Sequence, residues 1–245
     1  MPVRFENYSH SFLLNGKHVF APSELGRRIG KDIKQRVEDA FSFKDFYYHM
    51  KEGGHVEALH LHRPNKYFCK VDIENFFYSI ARNRVVRALR LIRVPRATHY
   101  GKWSCVKNPY AGPSYALPYG FVQSPILATL VLENSEVGRA LSRLTSDVTV
   151  AVYVDDISLS SNDLSLLRTR YDELLHAIDA AGFIVNSGKC VAPCSDLTIF
   201  NCNLRSGETS VTRDRVAEFY ITPPSPARLA GFERYCASVE RGNAH

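Results

Sequence analysis

No apolar run in this 245-residue chain approaches the roughly 20 residues that a bilayer-spanning helix needs, so helical membrane insertion is excluded. Met1–Glu6 carries no apolar signal segment. Paired cysteines are also missing. Cys190, Cys194 and Cys202 come nearest to a cluster, but without a Cys-x2-Cys pair they read as reduced thiols, as do Cys69, Cys105 and Cys236. The cytoplasm is the default compartment. There is no internal repeat, low-complexity tract or obvious linker. The most telling absence is of acid: between Asn75 and Leu132 there is no Asp or Glu. The same stretch holds Arg82, Arg84, Arg87, Arg90, Arg93, Arg96, Lys102 and Lys107, within a chain of net charge +6. Arg84, Arg87, Arg90 and Arg93 recur every third residue and would form a stripe on a helix. A nucleic-acid backbone is the expected partner for such a field.

What is present is most concentrated in Tyr153-Val154-Asp155-Asp156. Val148-Thr149-Val150-Ala151-Val152 precedes it and Ile157-Ser158-Leu159-Ser160 follows, so the pattern predicts a hairpin with two carboxylates at its turn. Adjacent acids at a strand tip repel unless a cation joins them, and Mg²⁺ suits carboxylate oxygens while keeping phosphates as other ligands. Clamping both oxygens of a phosphoryl transfer needs a further acid from elsewhere in the chain. Asp72 is the candidate, at the end of the strand-like run Tyr67-Phe68-Cys69-Lys70-Val71. Two strands ending side by side would bring it to the Asp155-Asp156 turn. Asp72 could equally cap a helix expected from Asn75 to about Arg93.

These motifs carry a resemblance. Asp72 with Phe76-Phe77 resembles the first palm motif of reverse transcriptases, and Tyr153-Val154-Asp155-Asp156 resembles the third. Between them, Leu117-Pro118-Tyr119-Gly120-Phe121-Val122-Gln123-Ser124-Pro125 is similar to the second, normally Leu-Pro-Gln-Gly followed by Ser-Pro. Gly182-Phe183-Ile184-Val185-Asn186 with Lys189 is similar to the fourth. The order and spacing agree over roughly residues 55–204. The style resembles bacterial enzymes, most of all the phage-defence group (abortive-infection and "unknown group" types), and retron and group II intron enzymes more distantly.

The resemblance implies an α+β right-hand polymerase fold, with fingers, a palm of antiparallel sheet backed by helices, and a reduced or absent thumb. It divides the chain into a fingers region (1–66), a palm (67–204, with an insertion at about 81–116) and a C-terminal extension (205–245). Asp72 and Asp155 would hold two Mg²⁺ ions, with Mn²⁺ as a substitute. Asp156 would ligate more weakly or tune the charge, and the Ile73 carbonyl is a further ligand candidate. Phe77 falls where the family places an aromatic ring under the sugar, where it would select deoxynucleotides. Gly120 would let the backbone approach the nucleotide. Tyr119 stands where the family usually has Gln, and Val122 replaces a common Pro. Gln123 and Ser124 are candidates for template or base-pair contact, Lys189 for the leaving pyrophosphate, and Arg63 and Lys66 for the triphosphate. Arg84, Arg87, Arg90 and Ser124 are the nucleic-acid-binding candidates. Phe200-Asn201-Cys202 stands where the family has Phe-Leu-Gly.

Elsewhere the pattern predicts a strand pair around Asn15-Gly16 and a basic helix from Pro22-Ser23 to about Phe41. His55–Lys66 alternates as a hairpin would, placing His55, His60 and His62 on strands or against a nucleotide. Ser124 and Pro125 read as the N-cap and first residue of a helix. Further expectations are a helix over about 163–180, a hairpin over 195–204, and a terminal helix burying Leu229, Phe232, Cys236 and Val239. The expected activity is RNA-directed DNA polymerisation in bacterial antiviral defence. One alternative is untemplated or protein-primed DNA synthesis by the same site. Another is a non-catalytic RNA-binding subunit of a polymerase complex. The implied partners are an RNA template or structured non-coding RNA, the DNA product, dNTPs, and a companion polymerase, effector or second copy.

Overall fold

The computed structural model describes residues 7–244; Met1–Glu6 lies outside it. In chain order the elements begin with β1 (Tyr8–Leu14), β2 (Lys17–Pro22), α1 (Glu24–Ala40), α2 (Gly54–His62) and β3 (Tyr67–Asp72). There follow α3 (Phe76–Ser79), α4 (Arg82–Leu91), α5 (Ala97–Ser104), β4 (Val106–Lys107), β5 (Tyr115–Ala116), α6 (Ser124–Glu133) and α7 (Glu136–Leu144). The last part holds β6 (Thr149–Tyr153), β7 (Asp156–Ser161), α8 (Leu164–Ala180), β8 (Val191–Cys194), β9 (Leu197–Ile199), β10 (Cys202–Arg205), β11 (Glu208–Val211), α9 (Arg213–Tyr220) and α10 (Pro226–Glu240). No helix among the described residues is long and apolar enough to cross a membrane. The chain forms two compact units. One comprises Met1–Lys44, Ile73–Arg139 and Ala180–Phe183; the other comprises Asp45–Asp72, Ala140–Asp179 and Ile184–His245.

In the first unit β1 and β2 pair about the Asn15-Gly16 turn, as expected. Ser23 caps α1 by accepting the Gly26 amide, and Gly26, Gly30, Ile33 and Val37 make its buried stripe. α6 is buried on nearly every side, which its run of Ile, Leu, Ala and Val dictates. Ser124 is a correction: it lies inside the first turn of α6, Gln123 takes the cap position without a side-chain bond, and Pro125 still occupies the tolerant start. The single helix expected after Asn75 is also corrected. A four-residue turn, α3, ends at Ile80, whose extended backbone separates it from α4. α4 stops at Leu91, and Arg93 turns with φ +60, so the arginine stripe keeps only Arg84, Arg87 and Arg90 on the helix.

The second unit is built on a four-stranded sheet in the order β6-β7-β3-β8, antiparallel throughout. A three-stranded sheet, β11-β10-β9, adjoins a core of Leu59, Phe68, Leu197, Ile199, Cys202, Leu204, Val211 and Val239. The hairpin expected over His55–Lys66 is absent: 54–62 is helical, and Leu59 of α2 joins that core. Its alternation comes from histidines that the fold uses as buried or half-buried hydrogen-bond partners. His55 meets the Tyr235 hydroxyl at 3.2 Å and His60 the Val239 carbonyl at 3.1 Å. α10 buries Val239 and packs the partly buried Phe232 and Cys236 against the same core, so one face of the terminal helix covers this unit's interior. Phe232 also stacks on Phe219 of α9, a helix without a sequence forecast, at 4.0 Å between ring centres.

Candidate active site

β6 and β7 form a hairpin closed by the pair Tyr153↔Asp156, so Val154 and Asp155 are its two turn residues. Val154 takes φ +61, a region that a β-branched residue rarely enters and that tight hairpin turns usually give to glycine. β7 continues into a ladder with β3 in which Asp72 faces Asp156, Val71 faces Ile157 and Lys70 faces Ser158. Directly opposed residues in such a ladder lie about 4.5–5.5 Å apart at Cα. Register alone therefore joins residue 72 to the 155–156 turn, as the sequence predicts.

The surroundings sharpen the arrangement. Asp72 is 4% exposed. Its carbonyl accepts the Asn186 amide at 2.8 Å, and its own amide points at the Cys190 sulfur at 3.4 Å. Lys189, fixed in the same loop, brings Nζ to 3.5 Å from Asp72 Oδ2. Asp156 is raised to about 6 by burial first, then by the charges of Asp155 and Asp72, with Lys70 and Lys189 offsetting only part. Cys190 and Lys70 carried no motif signal, because nothing in their spacing marks them as neighbours of Asp72; Asn186 ends the fourth motif, but its bond to the Asp72 carbonyl was not foreseen.

Beneath the acids, Ser158 and Ser160 of β7 are buried polar residues. His62 of α2 satisfies both hydroxyls, with Nε2 2.9 Å from Ser158 and Nδ1 2.7 Å from Ser160. Asn65 adds bonds to Ser160 and Thr149. Burial depresses His62 to about 3, so it stays neutral. Reading 55–66 as a hairpin hid this role.

Among the described residues no three or more His, Cys, Asp or Glu side chains are grouped so that they could hold a metal ion by themselves. The donors present are hard carboxylates, with Asp156 raised by burial and then by the charges of its neighbours, and a lysine stands beside Asp72. That set fits a divalent ion which takes a few carboxylates and draws its remaining ligands from phosphate and water.

The other sequence candidates fall in several places. Arg63 caps the end of α2, and its guanidinium donates to the Arg241 carbonyl (2.8 Å) and to Asn243 Oδ1 (3.2 Å), tying down the end of α10. Lys66 is exposed before β3. In the first unit, the Ile73 side chain is buried, and Phe77, also buried, packs edge-to-face on Tyr119 at 4.7 Å. The Tyr119 hydroxyl accepts from Lys17 at 3.1 Å. Gly120 has φ +99, and a Cβ there would lie 2.3 Å from the Phe20 carbonyl, so β2 is what demands glycine. Gln123 is 1% exposed and packs on Gly30 of α1. Ser124 is buried with its hydroxyl unpartnered among the described residues. Arg84 lays its guanidinium 4.2 Å over the Phe183 ring. Arg87 and Arg90 line an open groove of about 430 Å³ with Arg82, Asn83 and Thr98.

Comparison with known proteins agrees with this geometry. A family model described as "Reverse transcriptase (RNA-dependent DNA polymerase)" matches residues 17–216. The retron Ec86 reverse transcriptase of Escherichia coli is 26% identical over 210 residues, covering 82% of this chain and 62% of that protein. The chain thus spans less than two thirds of that relative. Among solved structures, apo telomerase from Candida tropicalis, truncated from its C-terminal domain, aligns with TM-score 0.52 at 13% identity, over 73% of this chain and 43% of that one. A foamy viral protease-reverse transcriptase in complex with double-stranded DNA aligns with TM-score 0.51 at 15% identity, over 90% of this chain and 33% of that one. At such identities these two likenesses concern the fold, an α+β right-hand polymerase architecture.

Proposed function

The chain belongs to the reverse transcriptase family, whose members use divalent metal ions, and from that premise we propose that it is an RNA-directed DNA polymerase. The observation that carries this reading is the register pairing of Asp72 with Asp156 beside the Asp155 turn. Asp72, Asp155 and Asp156 would hold Mg²⁺, with the Ile73 carbonyl as a further donor candidate. When bound, the ions supply charge neutralisation at the transferring phosphoryl group and lower the pKa of the attacking 3′-hydroxyl. Lys189, 3.5 Å from Asp72 and more than half exposed, is free to swing toward a pyrophosphate as negative charge develops there. The His62–Ser158–Ser160 network fixes β7, and with it Asp156, so little reorganisation is needed when charge changes.

For the nucleotide, Phe77 is the proposed barrier to a 2′-hydroxyl; its ring is held by Tyr119 and has little freedom to yield. Tyr119, Gly120, Gln123, Arg63 and Lys66 remain proposed nucleotide contacts, Ser124 a template contact, and Arg84, Arg87 and Arg90 contacts to the nucleic-acid backbone. A role in bacterial antiviral defence and the cytoplasmic setting extend the same proposal.

The deciding experiment supplies a defined RNA template with an annealed primer, dNTPs and Mg²⁺, and sequences the product. Template-complementary DNA, lost in Asp155→Asn, supports the reading. DNA unrelated to the template points to untemplated synthesis by the same site. No synthesis with Mg²⁺ or Mn²⁺ points to a non-catalytic subunit.

A further inference from the structure

The turn that carries Asp155 has an unusual backbone and an unusual neighbour. Val154 is β-branched yet takes φ +61, a sparsely populated conformation that its surroundings must offset. Its amide hydrogen is directed at a side chain: Val154 N–H donates to Nδ1 of His49 at 3.0 Å.

The chain delivers His49 there by a specific route. Residues 46–50 run along the outer edge of β6. Val152 N–H donates to the Phe46 carbonyl at 2.8 Å, and Tyr47 bridges Val152 in parallel. A short 3-10 turn, Tyr48–Met50, then brings the imidazole to the hairpin two residues beyond. Rings close the setting. Tyr153 lies edge-on to His49 at 5.9 Å and to His55 at 6.0 Å, and Phe200 lies 5.3 Å from Tyr153.

The bond also fixes the ring's proton. An Nδ1 that accepts the Val154 amide carries no hydrogen, so the 3.4 Å approach of Nδ1 to the Val152 carbonyl is a contact and not a donated bond. The proton is on Nε2. Burial pushes His49 down to about 4, which leaves the Nδ1 lone pair available at neutral pH.

We propose that His49 is a positioning residue for nucleotidyl transfer: it accepts the Val154 amide and holds the Val154–Asp155 turn in the conformation that presents Asp155. This rests on the polymerase reading, although the bond itself is open to a test that does not. His49 acts on Asp155 through the turn, by way of the Val154 amide.

The test compares His49→Leu, which fills the space without an acceptor, with His49→Asn, whose Oδ1 stands near the place of Nδ1. Hydrogen exchange at residue 154 is followed by NMR. In the wild-type protein this amide should be protected despite lying in a tight turn. His49→Leu should speed its exchange by about tenfold, the scale of one lost hydrogen bond, while β6 and β7 amides keep their rates. His49→Asn should restore most of the protection. In primer extension, His49→Leu should lower kcat about tenfold with KM for the dNTP within about twofold, and His49→Asn should recover kcat. The loss caused by His49→Leu should shrink in a Val154→Gly background, because glycine adopts positive φ without help.

Rapid exchange of the wild-type amide overturns the proposal. So does equal exchange in the Leu and Asn variants, or a kcat loss that is unchanged beside Val154→Gly. A wild-type protein that protects this amide but makes no DNA would instead remove the polymerase reading and leave the bond standing.

Discussion

Asp72 and Asp156 stand directly opposite each other across the β3–β7 ladder, the last pair before both strands leave the sheet. Burial of the Asp156 carboxylate, and after it repulsion from Asp155 and Asp72, is a cost that the protein carries in its folded state.

The cost predicts a stability gain on neutralising Asp156. Its folded pKa of about 6 exceeds the ordinary 3.8, so the folded state holds this proton more tightly than the unfolded chain does. Stability from this group is therefore greatest at low pH and falls as pH rises from 3.8 through 6. At about 1.4 kcal/mol per unit the penalty above pH 6 is at most about 3 kcal/mol. Asp156→Asn should raise the urea midpoint at pH 7.5 and match the wild type below pH 4. Added Mn²⁺ should stabilise the wild-type protein, and the variant, which keeps Asp72 and Asp155, to a smaller extent.

His62 predicts the opposite limb. Its pKa falls from 6.5 to about 3 in the fold, so its contribution is present above 6.5 and is lost as pH drops toward 3. His62→Phe leaves Ser158 and Ser160 without their imidazole partner and should cost about 2–4 kcal/mol at pH 7. Denaturant titrations across pH 4–7 should also show a flatter acid loss than in the wild type.

Gly120→Ala should destabilise by more than about 2 kcal/mol, because it combines a strained φ with a Cβ driven into the Phe20 carbonyl. Thermal unfolding without any nucleotide reads this directly. An unchanged midpoint would mean that β2 does not impose the glycine.

Arg87→Glu and Arg90→Glu should weaken binding to single-stranded RNA and DNA alike. Each lost phosphate contact should lower the slope of log affinity against log salt by about 0.7. Arg84→Glu should also destabilise the fold, since its guanidinium covers the Phe183 ring.

The joining of residue 72 to the 155–156 turn was legible because strand period and acid position are local properties that register preserves. So were β1–β2, α1 with its Ser23 cap, and α8. The 55–66 stretch was misread because His60 and His62, two residues apart among leucines, mimic alternation, while the partners of its histidines, Ser158, Ser160, Tyr235 and Val239, lie about 100 to 180 residues away. The α3–α4 break was hidden because nothing in 75–93 is a helix breaker; tertiary packing of Ile80 overrode propensity. His49 had no signal at all, since its role is a bond to a backbone amide 105 residues along the chain.

The most direct measurement is a Mn²⁺ titration followed by electron paramagnetic resonance, on the wild-type protein and on the variant with Asp72, Asp155 and Asp156 all changed to Asn. The wild-type protein should remove the free-ion signal, the variant should leave it unchanged, and both should give the same circular dichroism. Equal Mn²⁺ uptake by a folded variant would contradict metal binding at these carboxylates.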